Sequence, residues 1–414
     1  MKVFKFGGAS LKHAQAVRNM VAIVRKYSSG PLVIIVSAMD KTTNALEKVV
    51  KTFLSGGDFQ SEINSIVSFH ESLVNDLFKN PQTALTALKP LTAQLLDKLK
   101  AAGDEDALYD QVVCFGEIFS SIIVHHYLKE TGIENEWLDA RELIRTDSTF
   151  REGKIDWAST EKNISKLKSE RNTSILLTQG FIGSDATGNP TTLGREGSDF
   201  SAAIFASCLH AESVTIWKDV PGVMNADPKR LPAAVVFNEL PYKEAAEMTY
   251  YGASVIHPKT IKPLALKGIP LWVKSFANPQ LPGTKIHDCK VENLPPMIVF
   301  KDNQCLISCK VTDFTFVNEE QLGTIFHALT ELNMKLNVMQ NSAISFSFCI
   351  DFRENKVMAL IEKLQQNFEV YYNTNLTLIT IKNYDEPSFE TYRKIPGLLL
   401  EQSSRSTLQV LVKG

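Results

Sequence analysis

Several short stretches of this chain set cations, small residues and hydroxyls where a charged ligand would be handled. In Lys5-Phe-Gly-Gly-Ala-Ser10 a lysine and two adjacent glycines follow an apolar run, so backbone amides can approach a phosphate beside a cation. Val36-Ser-Ala-Met-Asp-Lys-Thr-Thr-Asn44 places Ser37 and Thr43 after a second apolar run, where they suit a small polar substrate. Between Thr178 and Ala202, Gly197, Ser198 and Asp199 open a helix whose free N–H groups would face a bound anion. Just before it, Arg195 offers a planar fork for carboxylate or phosphate, and Asp199 suits a metal, an ammonium group or a helix cap. Phe115-Gly-Glu117 buries an acid in an apolar helix, where it needs a substrate ammonium or a structural cation. From Trp217 to Arg230 the chain runs through Lys218, Asp219, a Pro-Gly turn, Met224, Lys229 and Arg230, a loop able to grip a nucleotide.

Phosphoryl transfer suits this inventory, because it asks for positive groups around the equatorial oxygens and little covalent help. A carboxylate acceptor is already ionised at neutral pH and needs no strong base, so His257 in Gly252-Ala-Ser-Val-Ile-His-Pro-Lys259 reads as structural. Plainer readings stay open for each stretch: a capped helix at Gly197, an internal ion pair at Glu117, and tight turns at Gly7 and Ser37. The first glycine turn matches neither Gly-x-x-x-x-Gly-Lys-Ser/Thr nor Gly-x-Gly-x-x-Gly.

The elements that must position these residues alternate. Strands are expected at Lys2–Phe6, Leu32–Val36, Ser174–Thr178, Ser213–Trp217 and Pro270–Val273, each followed by glycine, serine or aspartate. Helices are expected at Ala14–Lys26, Glu62–Phe78, Leu91–Lys100, Val112–Lys129 and Ser201–Leu209. This is an α/β pattern, a largely parallel sheet between two helical layers, in which ligands collect beyond the carboxyl ends of the strands. The stretch from about Thr42 to Asp106 reads as a helical insertion with little chemistry, and His70 as a surface or packing residue. Periodicity lapses at 277–297, an expected linker after a first domain over 1–276. Strands at Cys305–Val311, Ala343–Asp351 and Asn375–Lys382, with helices at Glu320–Leu332 and Lys356–Asn367, then form a small α+β region over 298–414. Its last part, from Pro387, has room for a short helix and a hairpin.

With 414 residues, 44% hydrophobic and 22% charged, the chain is a globular protein of two or three domains. A net charge of −2 without basic runs points away from nucleic acid and acidic membranes. The apolar run Leu32–Val36 falls far short of the roughly 20 residues that span a bilayer, and Met1–Gly8 lacks the apolar core of a secretory signal, so a cytoplasmic location is expected. All six cysteines are expected to be reduced, and Cys305 and Cys309 lack zinc-ligand spacing.

In this order and spacing the motifs resemble those of aspartate kinases of the amino-acid kinase superfamily over residues 1–276. Lys5-Phe-Gly-Gly-Ala-Ser10 is similar to the family's Lys-Phe-Gly-Gly-Thr-Ser, with Ala9 at the threonine. The resemblance implies ATP-dependent phosphorylation of the side-chain carboxylate of L-aspartate, with Mg2+ accompanying ATP and no protein metal ligands. Lys5 and Asp199 would be catalytic. Ser37, Thr43, Glu117, Arg195 and Ser198 would hold aspartate, Arg195 on a carboxylate and Glu117 on the ammonium. Gly7, Gly8, Ser10, Lys218, Asp219, Met224, Lys229, Arg230 and Ser254 would attend the nucleotide. In the family's Thr-Asp-Val-Pro-Gly-Ile-Tyr-Thr-Thr-Asp-Pro-Arg this chain has Lys218 at the first threonine, Met224 at the tyrosine and Lys229 at the arginine. In Gly-Ala-Lys-Val-Leu-His-Pro it has Ser254 at the lysine, removing a cation that Lys218 or Arg230 would offset. The C-terminal region resembles paired ACT modules, the second abbreviated, and implies lysine or threonine as effector and a homodimer or higher homo-oligomer. Two other readings stand beside this one: a kinase for a related carboxylate such as acetylglutamate, and a silent amino-acid-sensing regulator.

Overall fold

The computed structural model describes every residue except 29, 101–103, 169–173, 254, 313–315 and 414, so Ser254 lies outside the described residues. The chain forms two compact units, the first comprising 1–223, 236–246 and 255–290, the second 224–235, 247–254 and 291–414.

Strands β1 (Lys2–Phe6), β2 (Leu32–Val36), β3 (Glu136–Leu138) and β4 (Ile175–Gln179) belong to the first unit, followed by a small hairpin of β5 (Ile182–Ser184) and β6 (Pro190–Thr192). Next come β7 (Ser213–Lys218), β8 (Glu239–Pro241), β9 (Leu271–Ser275) and β10 (Thr284–His287). The main sheet runs β3-β4-β2-β1-β7-β9-β10-β8. All its pairings are parallel except β9 with β10. β2 and β4 are buried at every position, as strands covered on both faces must be. Period-two alternation turns Phe4 and Phe6 into the cluster built with the helices between Ala14 and Glu130. Val3 and Lys5 therefore face the other side, where the helix Gly197–Leu209 packs against β1, β2 and β7. The result is the expected three-layer α/β sandwich.

Three local differences have simple causes. The helix expected from Leu91 begins at Gln82 and runs through Pro90, a residue that ordinarily signals a helix end. The helix expected over Val112–Lys129 is two, Glu105–Val113 and Phe115–Glu130, joined at Cys114. By length and composition Glu105–Glu130 would cross a membrane, yet 78% of its most apolar window is buried within the unit. The expected linker 277–297 contains β10, whose Thr284 hydroxyl donates to Phe237 O (2.6 Å) and accepts from Val223 N (2.8 Å). A four-residue strand next to Pro282-Gly283 carries too little pattern to be read from sequence. His70 is a packing residue, 1% exposed, with its ring stacked on Phe119.

The second unit holds an antiparallel sheet of six strands. Its order is β12 (Leu336–Asn341), β13 (Ser345–Asp351), β11 (Met297–Lys310), β14 (Glu369–Lys382), β16 (Thr407–Lys413) and β15 (Leu398–Ser403). β11 and β14 are longer than expected because they continue through an irregularity near Asn303 and Asn375, both with left-handed backbones. One apolar cluster joins β11 and β13 to the helices Glu319–Glu331 and Glu354–Leu364. Another joins β14 and β16 to Phe389 and Tyr392 of the helix Glu386–Arg393 and to Ala226, Leu231 and Ala234.

Candidate active site

The carboxyl ends of β1, β2, β4 and β7 lead into one polar neighbourhood. Lys5, on β1, is 7% exposed and its Nζ lies 2.7 Å from Asp199 Oδ1. Lys218, the last residue of β7, places its Nζ 3.0 Å from Asp199 Oδ2 and 3.4 Å from Glu196 Oε2, and donates to Val255 O. Burial alone would raise the Asp199 carboxyl, but the two ammoniums outweigh it and hold it below the usual range. Burial would likewise depress the Lys218 ammonium, and Asp199 and Glu196 reverse that.

A cavity of about 500 Å³ opens beside this cluster. Among the sequence-predicted residues Lys5, Gly8, Ser37, Thr43, Glu117, Arg195 and Ser198 line it. Gly8 is required by close approach: a Cβ there would stand 2.8 Å from Ala38 O. Ser198 is pressed onto the end of β4, where a Cβ at Gly180 would lie 2.5 Å from its own Cβ. Arg195 is exposed and makes no hydrogen bond or ion pair among the described residues. Glu117, in the first turn of Phe115–Glu130, is 3% exposed. Its Oε1 accepts from Ala38 N at 3.3 Å, while its buried Oε2 has no hydrogen-bond partner among the described residues. Burial pushes its carboxyl up to about 8, against the backbone hydrogen bond from Ala38.

The remaining nucleotide candidates are not among the residues that line this cavity. Gly7, Ser10 and Asp219 belong to the first unit but do not line the cavity. Met224, Lys229 and Arg230 fall in the second unit and do not line it either. Arg230 donates to both Asp302 oxygens at 2.8 Å and lies over the Phe300 ring.

Sequence reasoning missed one wall. Asp110, fully buried, accepts from Arg151 N (2.9 Å), Thr192 N (2.8 Å) and Thr192 Oγ1 (2.7 Å). The Arg151 guanidinium lies over the Tyr109 ring, whose hydroxyl donates to Glu47 at 2.5 Å, and pairs with Asp106. The insertion read as chemically quiet thus supplies Glu47 and Asp106 to the support of the cavity. Backbone strain marks the same place. Asp40, Arg151, Phe181 and Glu196 all have φ between 47° and 68° and all line the cavity. The other described non-glycine residues with positive φ are His210 and five asparagines, types that tolerate it.

A cation on the central strand, an acid at a helix start and an open cavity beside them suit a phosphotransferase of small anions. Residues 1–275 match the amino acid kinase family, and the chain belongs to that family. Its relatives include aspartokinases. Lysine-sensitive aspartokinase 3 of Escherichia coli K12 is 32% identical over 355 residues, covering 84% of this chain and 78% of that protein. The chloroplastic bifunctional aspartokinase/homoserine dehydrogenase 2 of Arabidopsis thaliana is 32% identical over 381 residues. That match takes in 88% of this chain, which spans only 42% of the length of this bifunctional relative. The crystal structure of E. coli aspartokinase III in complex with aspartate and ADP superposes with a TM-score of 0.86 at 27% identity, covering 100% of this chain and 96% of the other.

Proposed function

We propose that this chain transfers the γ-phosphoryl group of ATP to the side-chain carboxylate of L-aspartate, giving 4-phospho-L-aspartate and ADP, a step towards lysine, threonine and methionine. One observation carries the reading: a single cavity brings together an unpaired guanidinium, Arg195, a buried carboxylate with one unpartnered oxygen, Glu117, and the cation Lys5. An amino acid with a free ammonium and a second carboxylate satisfies all three. An acylated amine such as that of acetylglutamate would leave Glu117 unmatched. The aspartate and ADP bound by the similar E. coli enzyme support the same reading.

In this mechanism Arg195 grips one carboxylate, Glu117 accepts from the ammonium, and Ser37, Thr43 and Ser198 hydrogen bond the remaining oxygens. The reacting carboxylate oxygen forms its bond to the γ-phosphorus as the bond to the β–γ bridging oxygen breaks, and ADP departs with that electron pair. Lys5 and Lys218 neutralise charge on the transferring group, and Asp199 fixes both ammoniums before the nucleotide arrives, so the field costs no reorganisation at the moment of transfer. Gly7, Gly8, Ser10 and Asp219 frame the phosphates. Magnesium enters as the counter-ion of ATP. The fully buried carboxylate of Asp199 is already shared by two lysines, a donor set that does not suit a resident divalent ion.

The second unit is read as the regulatory region, responding to lysine or threonine and pairing with a second copy of the chain; the name of the lysine-sensitive relative supports the first amino acid. Free thiols throughout the described residues accord with a cytoplasmic enzyme. ADP release by purified chain with magnesium-ATP, compared with and without L-aspartate and with acetylglutamate as control, tests the activity. Absence of aspartate-dependent ADP would end this reading.

A further inference from the structure

At the far edge of the first unit's sheet, β8 and the end of β10 bring together three donors that the proposed reaction does not use. β8 is the outermost strand and pairs with β10 in parallel, Lys285 opposite Glu239 and His287 opposite Pro241. Alternation along β10 turns Lys285 and His287 towards one side, and Cys289 follows two residues beyond the strand's end. Glu239 lies diagonally across from His287, with its Oε1 3.5 Å from His287 Nε2. A carboxylate oxygen of Glu239, a ring nitrogen of His287 and Sγ of Cys289 all lie within 4.8 Å of one another.

Two observations distinguish this cluster from an ordinary surface pair. His287 Nε2 is screened from solvent and has no hydrogen-bond partner among the described residues, although it sits among polar groups. The donor set is also mixed in softness, a thiol, an imidazole and a carboxylate, whereas chance acidic clusters offer oxygen alone. With metal–ligand bonds of roughly 2.0–2.3 Å, tetrahedral donors stand about 3.3–3.7 Å apart. The histidine–carboxylate separation already meets that, and Glu239, whose side chain is 53% exposed, is free to adjust.

We propose that Glu239, His287 and Cys289 form a three-donor site for a zinc-class divalent ion, with water completing a tetrahedron. Imidazole and thiolate select zinc and its neighbours over magnesium or calcium. Binding replaces the thiol S–H bond with a metal–sulfur bond and releases that proton to solvent. The ion would tie the three-residue strand β8 to the chain just before it leaves the first unit at residue 290, acting on stability and not on phosphoryl transfer.

Titrating the chelator-stripped full chain with Co2+ tests the site. The expected result is saturation at one ion per chain, a thiolate-to-cobalt charge-transfer band, release of one proton, and displacement by Zn2+. Cys289→Ser should abolish the charge-transfer band. His287→Ala should retain it while weakening binding by more than about 10-fold, the lower end for losing even an outer-shell partner. Circular dichroism of each variant separates ligand loss from unfolding. A spectrum without the thiolate band, or a band that survives in folded Cys289→Ser, overturns the proposal.

Discussion

Lys218 Nζ stands 3.0 Å from Asp199 Oδ2 while Lys5 Nζ holds the other oxygen at 2.7 Å, so one fully buried carboxylate is shared by two ammoniums from neighbouring strands. The arrangement carries one net positive charge beside the cavity before Glu196 is counted. Lys218→Met keeps the stem and removes that charge. Its kcat should fall by roughly 100-fold, the scale of losing one preorganised electrostatic contact, with the aspartate KM changed little. An unchanged kcat would reduce Lys218 to a counter-ion for Glu196.

On the proposed reading, Glu117 should make aspartate binding depend on pH. Its folded value of about 8 lies above the ordinary 4.5, so the ligand-free folded chain keeps a proton that the unfolded chain has lost between those values. The group's contribution to stability is therefore complete below 4.5 and is lost as pH rises towards 8. A substrate ammonium at Oε2 favours the ionised form, so binding below pH 8 expels a proton and tightens as pH approaches 8. Calorimetry in buffers of different ionisation enthalpy should detect that proton. Glu117→Gln should remove it, flatten the stability slope in this window and weaken aspartate binding by at least about 30-fold, the equivalent of some 2 kcal/mol.

Arg195 and Lys5 should separate in steady-state kinetics. Arg195→Ala is expected to raise the aspartate KM by at least about 30-fold while leaving the ATP KM near its original value. Lys5→Ala should instead lower kcat by about 100-fold or more. Normal aspartate kinetics in Arg195→Ala would contradict its role as the carboxylate clamp.

Gly180→Ala tests the packing that seats Ser198. The added methyl must displace Ser198, whose Cβ lies 2.5 Å from where it would stand. Thermal unfolding should show a loss of about 1–3 kcal/mol, the range for overpacking, together with a raised aspartate KM. Full activity and stability would mean that the helix start shifts without consequence.

The parallel core was legible because its strands are short, largely apolar runs followed within two residues by glycine, serine or aspartate. β1 and β2 begin and end where the pattern places them. Lys5, Glu117, Arg195 and Ser198 could be found for the same reason: each interrupts a local pattern that has no structural need of it. Asp110, Tyr109 and Arg151 could not. They lie in ordinary helical or loop sequence and acquire their role only when Asp110 draws in the backbone of Arg151, 41 positions away, and of Thr192, 82 positions away. Phe181 and Glu196 stand inside the glycine-rich stretch, yet their left-handed backbones are a tertiary outcome with no signature in side-chain type. The linker was misplaced because four alternating residues beside Pro-Gly look alike whether or not a sheet edge is waiting for them.

The two units are interleaved along the chain: segments 224–235 and 247–254 leave the first unit's sequence to join the second, and 236–246 and 255–290 return. No single cut yields both halves whole. A fragment ending at 276 would lack the strand Thr284–His287 and would still carry two pieces of a partner fold it no longer contains. On the proposed reading of the second unit as the regulatory region, exchanging it between relatives therefore calls for three coordinated grafts in place of one tail exchange.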